Sequence, residues 1–159
     1  MLNKTGVPEK SLILSRFPDN VNLGKPKAIT ECYEPIPCNP CETSCPFDAI
    51  TVGKDINTPP KVDFDQCTGC GICVYSCPGL AIIVAQIKED QAFFKIAYEF
   101  SPLPEVGETV HAINREGNIL GTARIEKVTL RKKQDKTALI DVSTSKDFLH
   151  EFVTIRRMS

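Results

Sequence analysis

The chain has 159 residues, of which eight are cysteine, two histidine and none tryptophan, and its formal net charge at pH 7 is −1. That length suits one domain, or a small one with an appendage, and a charge near zero is far from a nucleic-acid footprint. Cysteines in such number, behind an N-terminus that offers neither a secretory apolar region nor a twin arginine, point away from a disulfide framework and toward metal ligands in a reducing compartment, the cytoplasm.

Residues 1–30 carry Pro8, Pro18 and Pro26 among scattered Leu, Ile and Val, with no sustained period. They read as an extended N-terminal arm, lying either across a partner or as a strand packed on its own domain. Charge is unevenly placed: residues 1–30 carry a net +3, residues 31–90 a net −6 and residues 91–159 a net +2. The acidity is confined to the stretch that holds the cysteines.

That stretch begins at Cys32, followed by Tyr33-Glu-Pro-Ile-Pro37 and then Cys38-Asn-Pro-Cys41-Glu-Thr-Ser-Cys45-Pro46. Ile50 to Val52 and Lys61 to Phe64 read as short strands, with a turn at Asn57-Thr-Pro-Pro60 between them. A second run follows, Cys67-Thr-Gly-Cys70-Gly-Ile-Cys73-Val-Tyr-Ser-Cys77-Pro78. Three cysteines at successive three-residue steps, a fourth four residues on and a proline form the bacterial run that ligates a 4Fe-4S cluster. A tight loop can place three sulfurs at corners of one compact cube. Gly69 and Gly71 supply residues that accept positive φ and let amides approach the sulfurs, and Pro78 stops a helical turn that begins near Ile72.

The two runs are copies. Cys38, Cys41 and Cys45 each lie 32 residues before Cys70, Cys73 and Cys77, and the same offset carries Pro46 to Pro78, Ala49 to Ala81 and Ile50 to Ile82. The repeat breaks only at its first ligand, which the offset would put at Pro35 and which the sequence supplies at Cys32. Paired zinc knuckles do not show this stepping, so zinc is the weaker alternative.

On these motifs residues 31–98 resemble the two-cluster bacterial-type ferredoxins, in which the fourth cysteine of each run serves the other cluster. The resemblance implies two 4Fe-4S clusters, the first on Cys32, Cys38, Cys41 and Cys77 and the second on Cys67, Cys70, Cys73 and Cys45. That crossover would make folding and cluster binding one event. The spacing after Cys32 departs from the family's pattern. The phrase from Glu31 to Pro46 is also similar to the small iron-sulfur subunit of flavin-dependent amino-acid dehydrogenases of the proline or hydroxyproline kind. Tyr33, Phe47, Phe64 and Tyr75 lie near the ligands in sequence, as an apolar shell or as a conduit for electrons.

Beyond Cys77 the longest apolar run, Leu80 to Ala85, is far too short to span a bilayer. Ala81 to Ile87 and Gln91 to Tyr98 read as a hairpin turning at Lys88-Glu-Asp90, with Ala92, Phe94, Ile96 and Tyr98 on one face. Ser101-Pro-Leu-Pro104 marks a boundary. After it come strands at Thr109 to Asn114, Ile119 to Leu130, Ala138 to Val142 and Phe152 to Ile155, with a hairpin turn at Arg115-Glu-Gly-Asn118. Val128 and Leu130 are out of phase with Ala123 and Ile125, which a bulge near Glu126-Lys127 would correct. His111 and His150 lack ligand spacing with any cysteine, and Lys132-Lys133 and Arg156-Arg157 read as solvated turn and terminus.

The fold class expected is α+β: an arm over residues 1–30, a ferredoxin-like two-cluster domain with short helices and small antiparallel hairpins over 31–98, and a small all-β barrel or curled sheet over 99–159. The function expected is electron transfer without a catalytic site of its own, as a subunit fixed among flavoprotein oxidoreductase partners. A free soluble ferredoxin and a binding module with a redox-sensing cluster are the alternatives.

Overall fold

The structure, a computed structural model, describes residues 2–158. In chain order its elements are α1 (Lys10–Leu14), β1 (Lys27–Thr30), α2 (Pro40–Ser44), β2 (Ile50–Thr51), β3 (Lys61–Val62), α3 (Ile72–Ser76), β4 (Ile82–Lys88), β5 (Gln91–Tyr98), β6 (Thr109–Asn114), β7 (Ile119–Thr129), β8 (Ala138–Ser145) and β9 (Phe152–Arg156). Seven strands form one antiparallel sheet in the order β1-β4-β5-β8-β7-β6-β9, and β2 and β3 pair as a separate ribbon.

The unbroken apolar run in β4 explains the layering. A strand without alternation must be covered on both faces, and Ile82, Ile83, Val84 and Ala85 are all buried. Ile83 and Ala85 join a core with Ile29 of β1, Phe94 and Ile96 of β5, Ile140 and Val142 of β8, and Phe152 and Ile155 of β9. Ile82 and Val84 point the other way, into a second core with Ala28, Leu139 and the cysteines. Burying side chains of this size contributes about 1.5–3 kcal/mol each. Phe94 and Phe152 stack with centroids 4.3 Å apart.

The sheet runs across both expected domain boundaries. The last residues of the arm form β1, in register Lys27 to Ala85 through Thr30 to Ile82 on β4, so the arm packs on its own chain. The hairpin of β4 and β5 does not close off a ferredoxin unit: β5 pairs along its whole length with β8, from Gln91 opposite Ser145 to Tyr98 opposite Ala138. The reason is the alternation in β5, whose buried face of Ala92, Phe94, Ile96 and Tyr98 is completed by strands from the C-terminal half. The sheet core contains no cysteine. This narrows the expected coupling of folding to cluster binding: it applies to the cysteine layer, while the sheet has a core of its own.

Local details follow the sequence. The β4–β5 turn is Glu89-Asp90, with Glu89 at φ 59°, and the register between β7 and β8 shifts between Ile125 and Lys127. The bulge leaves Glu126 to accept a hydrogen bond of 2.6 Å from the Ser143 hydroxyl.

The sheet is curled, because groups beside β1 meet groups at the opposite end of the strand order. Glu31, just past β1, forms an ion pair with Arg115 in the β6–β7 turn, the two side chains being 14% and 10% exposed. Arg115 Nε donates to Glu31 Oε2 at 2.9 Å, Arg115 Nη1 donates to the His150 carbonyl, and Tyr33 OH donates to Glu31 Oε2 at 2.8 Å. Removing one partner leaves a buried charge alone, which costs about 3–5 kcal/mol. Arg115→Met should therefore lower the urea midpoint sharply, and adding Glu31→Gln should recover part of the loss. Equal midpoints for wild type and the single variant would contradict the buried pair. No helix among the described residues is long and apolar enough to cross a membrane.

Candidate metal centres

The two cysteine runs fold alike. Each ends in a short helix, α2 or α3, and the helices pack together beneath the sheet. After each, the backbone turns back so that an amide four residues on donates to the last sulfur. Ala49 N–H donates to Cys45 Sγ at 3.4 Å, and Ala81 N–H donates to Cys77 Sγ at 3.4 Å. These are the same bond at positions related by the 32-residue repeat. A third, from Ala28 N–H of β1 to Cys67 Sγ at 3.3 Å, has no counterpart in the repeat.

The sulfurs sort into two sets. One cavity is lined by Cys67, Cys70 and Cys73 of the second run together with Cys45 of the first, closed on the sheet side by Ala28 and Val84. The other is lined by Cys38 and Cys41 of the first run, Cys77 of the second, and Cys32. The structure thus brings each expected quartet to its own cavity, with Cys45 and Cys77 crossing between runs and Cys32 joining the second cavity despite the longer spacing to Cys38. None of the eight cysteines is paired in a disulfide. No three His, Cys, Asp or Glu side chains converge as one metal ion would require, among the described residues.

The surroundings fit a compact anionic group bound by thiolates. Gly69 and Gly71 take φ +71° and +86°, and a Cβ on Gly71 would lie 2.8 Å from Leu139 Cδ2, so the loop lies flat against the strands. The buried Ser44 hydroxyl, beside Cys45 in sequence, has no hydrogen-bond partner in the protein. Of the aromatic residues near the ligands, Tyr75 packs on the cysteine layer and Phe64 on the sheet core, Tyr33 bonds to Glu31, and Phe47 is exposed. The shell is therefore built mostly by aliphatic residues of the sheet, such as Ala28, Ile82, Val84 and Leu139.

The thiols' electrostatics follows their burial and their neighbours. Burial pushes the Cys73 thiol up to about 12, with Cys67, Cys70, Cys45 and then Cys41 adding to it. Burial also pushes Cys41 up to about 11, against a backbone hydrogen bond at Glu42 and with Cys77 and Cys38 adding. Cys32 is raised by burial and by Cys77, while the Arg16 guanidinium acts to lower it. Bound metal reverses this preference, since a coordinated thiol is deprotonated.

For the metal-free chain the sign is fixed. The folded form holds protons at Cys41 and Cys73 that the unfolded form releases near the ordinary value of 9.0. Their contribution is complete below about pH 9 and is lost as pH rises toward about 11 and 12. Urea midpoints of the reduced, metal-free chain should be lower at high pH than at neutral pH. A midpoint that rises with pH would contradict the burial of these thiols.

Two cations from the N-terminal segment were not singled out in the sequence. Arg16 donates to Thr30 Oγ1 at 3.1 Å and to the Pro60 carbonyl at 3.2 Å, and lies 5.0 Å from the centroid of the Tyr33 ring. Lys27 is buried in β1 and donates to carbonyls of the second cysteine loop. The signal was the +3 of residues 1–30 beside the −6 that follows, which showed the balance but not the contacts.

Comparison with known proteins agrees on the cysteine segment. Residues 36–81 match the family described as the 4Fe-4S dicluster domain. The chain is 55% identical over 50 residues to one subunit of the Na(+)-translocating ferredoxin:NAD(+) oxidoreductase complex of Acetobacterium woodii, 31% of this chain and 14% of that protein. It is 38% identical over 58 residues to the ferredoxin-type protein NapF of Haemophilus influenzae, 35% of this chain and 33% of that one. To the pyruvate synthase subunit PorD of Methanocaldococcus jannaschii it is 38% identical over 56 residues, 35% of this chain and 60% of that one. The chain thus spans less than two thirds of each of these relatives. No solved structure matches it. Residues 36–81, which hold seven of the eight cysteines, Cys38 through Cys77, are thus similar to ferredoxin-type iron-sulfur proteins, and the cofactors are two 4Fe-4S clusters.

Proposed function

We propose that the chain transfers electrons through its two clusters as a fixed subunit of a larger oxidoreductase complex, with flavoprotein subunits as partners. The observation that carries this reading is the separation of the eight cysteines into two crossed quartets, Cys32, Cys38, Cys41 and Cys77 on one cavity and Cys45, Cys67, Cys70 and Cys73 on the other. Those quartets are the proposed ligands. When bound, each 4Fe-4S cluster takes up and gives back one electron.

The chain's own residues hold, shield and tune. Ala28, Ile82, Val84 and Leu139 exclude water from the sheet side, and the amides of Ala28, Ala49 and Ala81 donate to ligand sulfurs, which favours the more negative, reduced form. Cys70 is the one exposed cysteine. An electron partner therefore comes nearest at the Cys70 loop.

A fixed subunit is supported by the relatives, two of which are named as subunits of oxidoreductase or synthase complexes. It is supported also by exposed apolar side chains beyond the matched segment, Phe100 at 75% and Val106 at 66%. The flavin partner, and within it an amino-acid dehydrogenase of the proline or hydroxyproline kind, rests on the similarity of residues 31–46 alone. A cytoplasmic location follows from thiols that need a reducing compartment. The test is an affinity pull-down of the chain from its native host under anaerobic conditions. Stoichiometric flavoprotein subunits in the eluate are expected, and a monomeric iron-loaded chain with no partner would return it to the free ferredoxins.

A further inference from the structure

Lys27 is a buried cation with no carboxylate at ion-pair distance; the exposed Asp63 carboxylate feels its charge, but only as the smallest of the influences on it. It is 6% exposed, in a strand whose four residues are all buried. The ion pairs among the described residues are Lys95 with Asp141, Arg115 with Glu31, Lys146 with Asp90 and Arg157 with Glu108, and Lys27 is in none of them. Its ammonium donates to the carbonyl of Cys67 at 2.8 Å and to the carbonyl of Phe64. Two carbonyls satisfy donors but do not neutralise a charge, and burying a charge unpaired costs far more than burying a hydrogen-bonded neutral group. A methionine or leucine would fill the same strand position at no such cost. A larger opposite charge than the solvent-exposed Asp63 would lie across the Cys67 backbone, where four thiolates and their iron-sulfur core carry about −2 in the oxidised state.

We propose that Lys27 is the fixed counter-charge of the Cys45, Cys67, Cys70 and Cys73 centre and raises its reduction potential. Reduction adds one electron to a site that is already negative, so a nearby positive charge stabilises the reduced form more than the oxidised form. Low dielectric strengthens the effect, because both the ammonium and the Cys67 side of the loop are shielded from water. The same β1 strand donates an amide hydrogen bond, from Ala28, to Cys67 Sγ. One strand thus delivers two stabilising contacts to one ligand of one centre, and the segment read as an arm is part of the redox apparatus. The proposal rests on the ligand assignment given above.

The experiment is a redox titration of the iron-loaded chain followed by paramagnetic NMR of the cysteine β-protons, which assigns each reduction step to its own centre. Lys27→Gln keeps a donor for the two carbonyls and removes the charge, and Lys27→Arg keeps the charge. In Lys27→Gln the step of the Cys67 centre should move to lower potential, with a much smaller shift at the Cys32 centre, and Lys27→Arg should return it toward wild type. An unmoved step in Lys27→Gln, or equal shifts at both centres, would overturn the proposal. Should both variants lose iron, the wild type decides. A slowly exchanging Nζ ammonium signal of Lys27 that shifts on reduction of the Cys67 centre upholds the counter-charge, and its absence overturns it. Two reduction steps, each on its own quartet, would keep the ligand assignment even if Lys27 proved inert.

Discussion

Cys73→Ser should cost the chain at least half of its iron. Cys73 is 7% exposed, in the first turn of α3, with fully buried Val74 beside it. It faces the same cavity as Cys45, Cys67 and Cys70. A serine hydroxyl is a poor iron ligand at neutral pH, being far harder to deprotonate than a thiol, and its burial adds a polar group in an apolar layer. The damage should spread, since the Cys77 amide donates to the Cys73 carbonyl at 3.1 Å and Cys77 faces the other cavity. Iron should fall from about eight per chain to four or fewer. The sheet core, which contains no cysteine, should keep the β signal in circular dichroism. A full iron load in this variant would refute the ligand assignment.

Gly69→Ala should be nearly as damaging without touching a ligand. The residue sits at φ +71°, and an added Cβ would lie 2.5 Å from the Pro26 carbonyl oxygen and 2.7 Å from its carbon. Left-handed backbone costs a residue with a Cβ about 1–2 kcal/mol. Here the collision is with backbone at the start of β1, which cannot swing aside as a side chain would. Displacing Pro26 displaces Lys27 and Ala28, both bonded to Cys67. Gly53→Ala is the control, since Gly53 has φ +94° and an added Cβ there would meet nothing within 4 Å. At about 2–4 °C per kcal/mol for a chain of this size, the control should lose a few degrees in Tm and Gly69→Ala clearly more, with faster bleaching of the cluster absorbance in air. Equal losses for the two variants would mean that the loop does not press on Pro26.

The grouping of the cysteines at two cavities was legible in part because ligand spacing is a covalent constraint: three sulfurs on one cube require short, fixed steps, whereas the crossing of Cys45 and Cys77 came from the resemblance to two-cluster ferredoxins and not from the spacing. The β7 bulge was legible for a similar reason, since Ala123 and Ile125 fall out of phase with Val128 across Glu126. What stayed hidden was pairing at long range. Nothing in the alternation of β5 says that its neighbour is β8, more than forty residues on, rather than a strand of the same half. The proline-rich segment before β1 concealed a buried strand, because Lys27-Ala-Ile-Thr30 has polar ends, and these are buried for reasons that only the contacts reveal.

The most direct test of the account is the iron and acid-labile sulfide content of the chain purified anaerobically, read together with its Mössbauer spectrum. About eight iron and eight sulfide per chain, all as 4Fe-4S centres, is the predicted result. About four of each would show that Cys32, Cys38, Cys41 and Cys77 do not hold a cluster, and zinc in place of iron would contradict the reading of both quartets.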